Sequence, residues 1–109
     1  IFEDKKYFAF LDMNPINAGH TLLIPKKHTE YLFDLNDGEY TELILKAKFL
    51  AELLKNKLKS KKIGLIVEGF GVSHVHIHLV PINHMGELNH KRAKLMNKEK
   101  LNKIAKKIK

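Results

Sequence analysis

The spacing of hydrophobic positions changes several times along the chain, and each change marks an element. Tyr7 to Leu11 is a short aromatic and apolar run that reads as a strand, closed by the turn chemistry of Asp12-Met13-Asn14-Pro15. Ala18-Gly19 leads into a second strand, His20-Thr21-Leu22-Leu23-Ile24, with Pro25 expected to stop it and Lys26-Lys27-His28 to form a connecting loop. These two strands are expected to pair antiparallel. Ile63 to Val67 reads as a third strand and Glu68-Gly69-Phe70-Gly71 as a glycine-containing turn. Val75 to Val80 reads as a fourth strand ended by Pro81, with loop from there to His90.

Between the second and third strands the spacing lengthens to that of a helix. Asn36 is the candidate N-cap, Glu39 completes a capping box, and Leu35 with Tyr40 is placed to form a hydrophobic staple. The helix is expected to run to about Lys59, where Ser60, the lysines and Gly64 break it. Tyr40, Leu43, Ile44, Ala47, Leu50, Ala51, Leu54 and Leu58 make one broad apolar stripe. Leu45, Phe49 and Leu53 fall on nearly the opposite side, so the helix is expected to touch a second partner, either another subunit or a preceding segment of chain. Near the end, Leu101, Ile104, Ala105 and Ile108 follow i, i+3, i+4, i+7, the pattern of an amphipathic helix that docks.

Charge sharpens the picture at that end. Residues 1–90 balance 11 Lys against 11 acids, whereas residues 91–109 carry nine Lys or Arg against Glu99 alone, which accounts for the net charge of +8. A nucleic-acid-binding tail is the blunt reading. A solvated lysine face on a docked helix is preferred, and such a face would also steer phosphate-bearing ligands. With 109 residues and no boundary or repeat, the chain is expected to form a single domain over 1–109, with a core over 1–90 and a basic helical tail over 91–109. There is no cysteine, which excludes disulfides, thiolate nucleophiles and cysteine-held zinc and fits a cytoplasmic setting. No apolar run approaches the ~20 residues of a membrane span. The opening residues, Ile1 to Lys6, read as the middle of a longer chain.

The chemistry is concentrated in His74-Val75-His76-Ile77-His78-Leu79-Val80-Pro81, three histidines at alternate positions with branched apolar residues between them. On a strand, alternation puts all three imidazoles on one face and Val75, Ile77 and Leu79 into the core. Three readings follow. A shared metal is possible for three imidazoles, but no acidic residue lies beside the row to support it. Purely structural histidines are a weak explanation for a strict alternation with His20 and His28 on flanking segments. Nucleophilic catalysis at phosphorus needs a neutral imidazole, a neighbour that fixes its tautomer and another that donates protons. The basic surroundings suit that third reading.

The run from His74 to Pro81 resembles the signature of the histidine triad (HIT) superfamily of nucleotide hydrolases and transferases. The upstream run from Ala9 to His28 resembles the nucleoside-binding segment of its Hint-type branch. Two separated motifs in the right order, with a helix between them, make the resemblance specific over about residues 1–90. It implies that His76 is the nucleophile, that His78 contacts the phosphate, that the His74 carbonyl orients the nucleophile and that His28 lines the site. It implies that Asp12 binds the ribose hydroxyls, as a carboxylate after a strand can. It also implies that Phe10, Leu11 and Met13 wall the nucleoside. Ser73 aligns with a phosphate-binding position. His20 is expected to be a buried supporting residue, and His84 and His90 to be surface loop residues. The family usually carries an Asn on the third strand and a longer loop with Gln. Here Val67 and the run Glu68 to Ser73 stand there, a short-loop variant.

The fold implied is α+β, an antiparallel sheet of about five strands with one long helix on one face and the histidines on the other, followed by the amphipathic C-terminal helix. The activity implied is hydrolysis or transfer at the α-phosphate of nucleoside phosphoramidates or dinucleoside polyphosphates through a covalent nucleotidyl-histidine, and the assembly implied is a homodimer. No cofactor or metal is required, although a divalent cation could assist a polyphosphate leaving group. An AMP-like nucleotide is the expected partner, with membranes excluded and nucleic acid disfavoured. Neutral His76 is needed, so the rate should fall below about pH 6. A nucleotide-binding regulatory protein with little turnover, or a metal-binding histidine cluster, are the rival readings.

Overall fold

The computed structural model describes residues 2–68 and 74–108. Its elements in chain order are β1 (Phe2–Glu3), β2 (Tyr7–Leu11), β3 (Thr21–Pro25), α1 (Asp37–Leu58), β4 (Lys62–Ile66), β5 (Ile77–Ile82) and α2 (Lys98–Ile108), with short 3₁₀ turns at Leu32–Asp34 and His90–Arg92. The five strands form one antiparallel sheet in the order β1-β2-β3-β5-β4. The fold is therefore the α+β arrangement expected: antiparallel sheet, long helix, C-terminal helix.

The helix α1 forms for the reason its sequence gives. Asn36 Oδ1 accepts from the Glu39 N–H at 2.8 Å while the Glu39 carboxylate accepts from the Asn36 N–H, so two otherwise orphaned donors are satisfied. The helix ends at Lys59, whose φ of 55° turns the chain out in the left-handed region. Leu43, Ala47, Leu50 and Leu54 are buried against Tyr7, Ala9, Leu23, Ile77 and Leu79, which are the alternate residues of β2, β3 and β5. Burial of this stripe against one sheet face is the main apolar contribution to the fold. α2 docks through the buried Ile108, with Ile104 packed on the same core.

Four details differ from the sequence reading. β1 is an additional edge strand, only two residues long. It is held by the Phe2 ring against Phe49, with centroids 6.1 Å apart, and by Lys46 Nζ 4.7 Å from the Phe2 centroid. Phe2 thus meets part of the second helix face. Leu53, grouped with that face, instead packs against the core, while Leu45 and Phe49 stay exposed. β3 does end at Pro25, as expected, whereas β5 runs one residue past Pro81 to Ile82. Pro25 pairs with Tyr7 and Pro81 with Ile63. β3 pairs with β5 only as far as Leu79, so Pro81 lies where one side of β5 has no ladder to complete and its missing N–H is tolerated. Finally, β5 begins at Ile77, so His74 and His76 lie in the segment leading into the strand. The alternation persists there, with Val75 buried like Ile77 and Leu79.

Candidate active site

His78 sits on the sheet face opposite α1. Its register neighbours are Leu22 on β3 and Ile66 on β4, and Leu22 is in turn opposite Phe10 on β2. Directly opposed residues share a face, so Phe10, Leu22, His78 and Ile66 form one row. Phe8 lies two residues along β2 with its ring 5.3 Å from that of Phe10. Leu11, expected with Phe10 as a nucleoside wall, falls on the other face, in register with Thr21 and Leu79, and packs on the core. Leu22, which the sequence reading left out, takes the central place between Phe10 and His78. Met13 is exposed in the turn after β2. Ser73, with the turn Gly69 to Gly71 before it, lies outside the described residues.

The loop between β2 and β3 delivers a buried histidine to His78. Gly19 adopts a φ of 91°, with the Leu58 side chain pressed where a Cβ would stand. Only glycine accommodates both constraints, and the chain then turns His20 inward. His20 Nδ1 accepts the Ile16 N–H at 3.0 Å, so the ring proton is assigned to Nε2. Nε2 lies 2.9 Å from His78 Nδ1 and 3.6 Å from Asp12 Oδ2, and the shorter distance makes His78 the main acceptor. His78 must then carry its own proton on Nε2. Asp12 uses its other oxygen to accept the Asn14 N–H at 2.8 Å, so it makes the turn and faces His20 at once.

His76 is fixed from its own backbone. Its Nδ1 lies 2.9 Å from the His74 carbonyl oxygen and donates to it, which leaves a lone pair on Nε2. That is the form in which imidazole is a nucleophile. The His76 and His78 rings meet edge to face, with centroids 4.9 Å apart. With both rings neutral, one offers a free lone pair while its neighbour offers an N–H.

Burial holds His78 in its neutral form, with its pKa lowered to about 4. The nearby His20, His76 and His90 rings act in the same direction and Asp12 opposes them. Burial likewise lowers the pKa of His20.

The remaining histidines divide unexpectedly. His74 Nε2 donates to the Pro25 carbonyl at 2.7 Å, and His74 Nδ1 lies 3.3 Å from His28 Nδ1. The described contacts of His28 therefore join it to His74 rather than to His76 or His78. His90, expected on the surface, is solvent-exposed, yet its ring packs against His78 with centroids 5.3 Å apart. No local pattern marks it, because the contact is made by a loop after β5. Among the described residues, Asp12, His20 and His78 form a group whose potential metal-ligand atoms all lie within 4.8 Å of one another. An ion there would take the atoms now joined by the His20–His78 hydrogen bond. Beside the site, a cleft of about 820 Å³ runs between the 15–18 turn and residues 91–100, lined by Lys91, Arg92, Lys94 and Lys100 with no acidic residue.

The site is thus of a definite class: an antiparallel sheet with a helix behind it and, on its open face, imidazoles hydrogen-bonded through opposite ring nitrogens next to an apolar row. The family model of the HIT domain matches residues 1–85, and the chain belongs to that family. It is 41% identical over 86 residues to an uncharacterized HIT-like protein of Methanocaldococcus jannaschii, covering 74% of this chain and 66% of that protein. It is 40% identical over 85 residues to an adenosine 5′-monophosphoramidase of Saccharomyces cerevisiae, covering 74% of this chain and 52% of the yeast protein. These alignments span between about half and two thirds of the relatives' lengths. A hypothetical histidine triad nucleotide-binding protein of Sulfolobus tokodaii superposes with a TM-score of 0.85 at 30% identity, covering 98% of this chain and 78% of that one. The family thus includes nucleotide-hydrolysing and nucleotide-binding proteins. Among the described residues no helix is long and apolar enough to cross a membrane.

Proposed function

We propose that this chain is a nucleotide hydrolase or transferase acting at the α-phosphate of nucleoside phosphoramidates or dinucleoside polyphosphates. The observation that carries the reading is the His76 Nδ1–H bond to the His74 carbonyl, which leaves Nε2 unprotonated beside His78. In the first step the Nε2 lone pair attacks phosphorus. The bond from phosphorus to the amine or phosphate leaving group breaks, the leaving group departs with its electron pair, and an amine takes up a proton from solvent as it leaves, which the attacking water of the second step returns. The His74 carbonyl supports the positive charge that develops on the ring. The His78 N–H donates to a phosphate oxygen, with His20 holding its tautomer. In the second step water attacks phosphorus, the Nε2–P bond breaks and a nucleoside monophosphate is released. Overall, water supplies the oxygen that phosphorus keeps and the proton the amine carries away.

In this reading Phe10 and Leu22 offer the apolar surface for a base, and Asp12 binds the ribose. The lysines of the neighbouring cleft favour approach of an anion. The imidazole is itself the nucleophile, so the step needs no cofactor. A divalent cation has a role only with polyphosphate leaving groups. A homodimer is part of the same reading. Tyr31, Phe33 and Leu65 are exposed apolar side chains around a depression that reaches Val75 and His76, a surface suited to a second copy. Sedimentation at micromolar concentration should give twice the 12.6 kDa chain mass, and a monomer mass would refute the dimer.

The test is hydrolysis of an adenosine 5′-phosphoramidate bearing a fluorescent amine, with His76→Ala alongside and EDTA in a parallel sample. Turnover that disappears in His76→Ala and survives EDTA supports the nucleotidyl-histidine route. Binding of AMP without turnover would favour a nucleotide-binding protein instead.

A further inference from the structure

The segment after β5 looks, by composition, like the start of a basic tail, yet it opens in a self-bonded turn and is tied at its far end to the turn after β2. At one end the Asn89 side chain accepts the Lys91 N–H at 2.9 Å, the Ala93 N–H bonds the His90 carbonyl at 3.0 Å, and Arg92 Nη1 donates to the Glu87 carbonyl at 2.7 Å. At the other end the Lys94 N–H donates to the Pro15 carbonyl and the Met96 N–H to the Met13 carbonyl, at 3.3 and 2.9 Å. Met13 and Pro15 belong to the turn that begins at Asp12. The arm therefore spans from the end of β5 to the turn after β2, and between its anchors it sets the His90 ring edge-on to His78, at an interplanar angle of 84°.

His78 thus has imidazole neighbours on three sides. His20 holds its Nδ1, His76 meets its edge, and His90 makes the third contact. The last torsion of an imidazole is broad and roughly two-fold. A half-turn would exchange Nδ1 for a carbon, break the bond to His20 and point the N–H away from the phosphate. The bond to His20 opposes that rotation from one side, and a ring packed on another flank restricts it further.

We propose that His90 is a positioning residue, holding the His78 ring in the orientation set by His20, and that the arm from Asn89 to Asn97 belongs to the active site. The inference rests on the catalytic reading above, in which the His78 N–H meets the phosphate. His90 itself acts through His78.

The experiment compares wild type, His90→Ala, His90→Phe and the control His84→Ala, an exposed histidine in the loop before the arm. Two readouts are taken: turnover of the fluorescent phosphoramidate, and the ¹⁵N signals of the His78 ring by NMR without substrate. His90→Ala should lower kcat about tenfold to a hundredfold with KM within about twofold, since misorientation costs rate rather than binding. His90→Phe, which keeps the ring contact without a titrating nitrogen, should recover most of the loss, and His84→Ala should match wild type. In wild type, His78 should show a protonated Nε2 and an accepting Nδ1, and in His90→Ala its signals should average between orientations. An unchanged kcat together with an unchanged His78 tautomer in His90→Ala would overturn the proposal. Wild-type protein without turnover would overturn the catalytic reading instead, and the NMR comparison would still decide whether His90 orients His78.

Discussion

Two groups of histidines lie within a few residues of each other in sequence and live in different surroundings. His28 and His74 meet beyond the ends of the two interior strands β3 and β5, where His28 is exposed and the contact between their Nδ1 atoms is a long 3.3 Å. His20, His76 and His78 form a tighter set, in which a buried backbone N–H fixes His20, a carbonyl fixes His76 and a 2.9 Å bond links His20 to His78. His74 is also fixed by a carbonyl, that of Pro25, so the difference between the groups lies in His28, an exposed ring held through that long contact. A tautomer set by backbone groups cannot drift with solvent, and that is the property a nucleophile and its neighbouring donor need.

The comparison can be broken most directly by removing one imidazole from each group. His76→Ala should lower kcat by at least about a thousandfold, while His28→Ala should cost no more than about tenfold, measured on the same phosphoramidate. Equal losses would erase the distinction between the groups. His20→Phe should come next, lowering kcat about tenfold to a hundredfold because His78 loses the donor that sets its tautomer. It should also cost about 1–3 kcal/mol of stability by leaving the Ile16 N–H unpaired, read by denaturant unfolding. Gly19→Ala should destabilise by about 1–3 kcal/mol through its positive φ and the crowding by Leu58, and it should disturb the tight group while leaving the His28–His74 contact intact.

The smallest effect is on pH dependence. The pKa of His78 in the folded protein lies near 4, below the ordinary 6.5, so between those values the unfolded chain binds more protons. Its neutral form therefore contributes stability that is full above about pH 6.5 and lost as the pH falls toward about 4. His20 shifts in the same direction. The thermal midpoint should decline across that window, and His78→Phe should flatten the decline. A wild-type midpoint that is constant from pH 6.5 to 4 would contradict the buried, neutral state.

Much of this could be read from the sequence because it rests on local patterns. The capping box at Asn36 and Glu39 marked the helix start, the apolar stripe marked the buried face, and the alternation from His74 to Leu79 marked which residues face the core. The expectation that His20 would be a buried, hydrogen-bonded support agrees with its geometry. What could not be read depends on contacts distant in sequence. A two-residue β1 carries no period and exists because Phe2 meets Phe49 on α1. Pro25 ends its strand as it looks, but Pro81 looks like an end until the ladder shows that one side of β5 is unpaired there. Leu11 and Phe10 are neighbours in sequence on opposite faces, so the strand's register separates them. His90 reaches His78 only because the arm is tied back to Met13 and Pro15, and no local signal reports that.

The central claim is that His76 Nε2 forms a bond to phosphorus. It is tested most directly by rapid mixing of the protein with the adenosine phosphoramidate, quenching under alkaline conditions and measuring the intact mass. The account predicts one AMP moiety per chain, mapped to the peptide containing His76 and absent from His76→Ala. Release of the amine at an undiminished rate by His76→Ala, with no adduct on either protein, would contradict it.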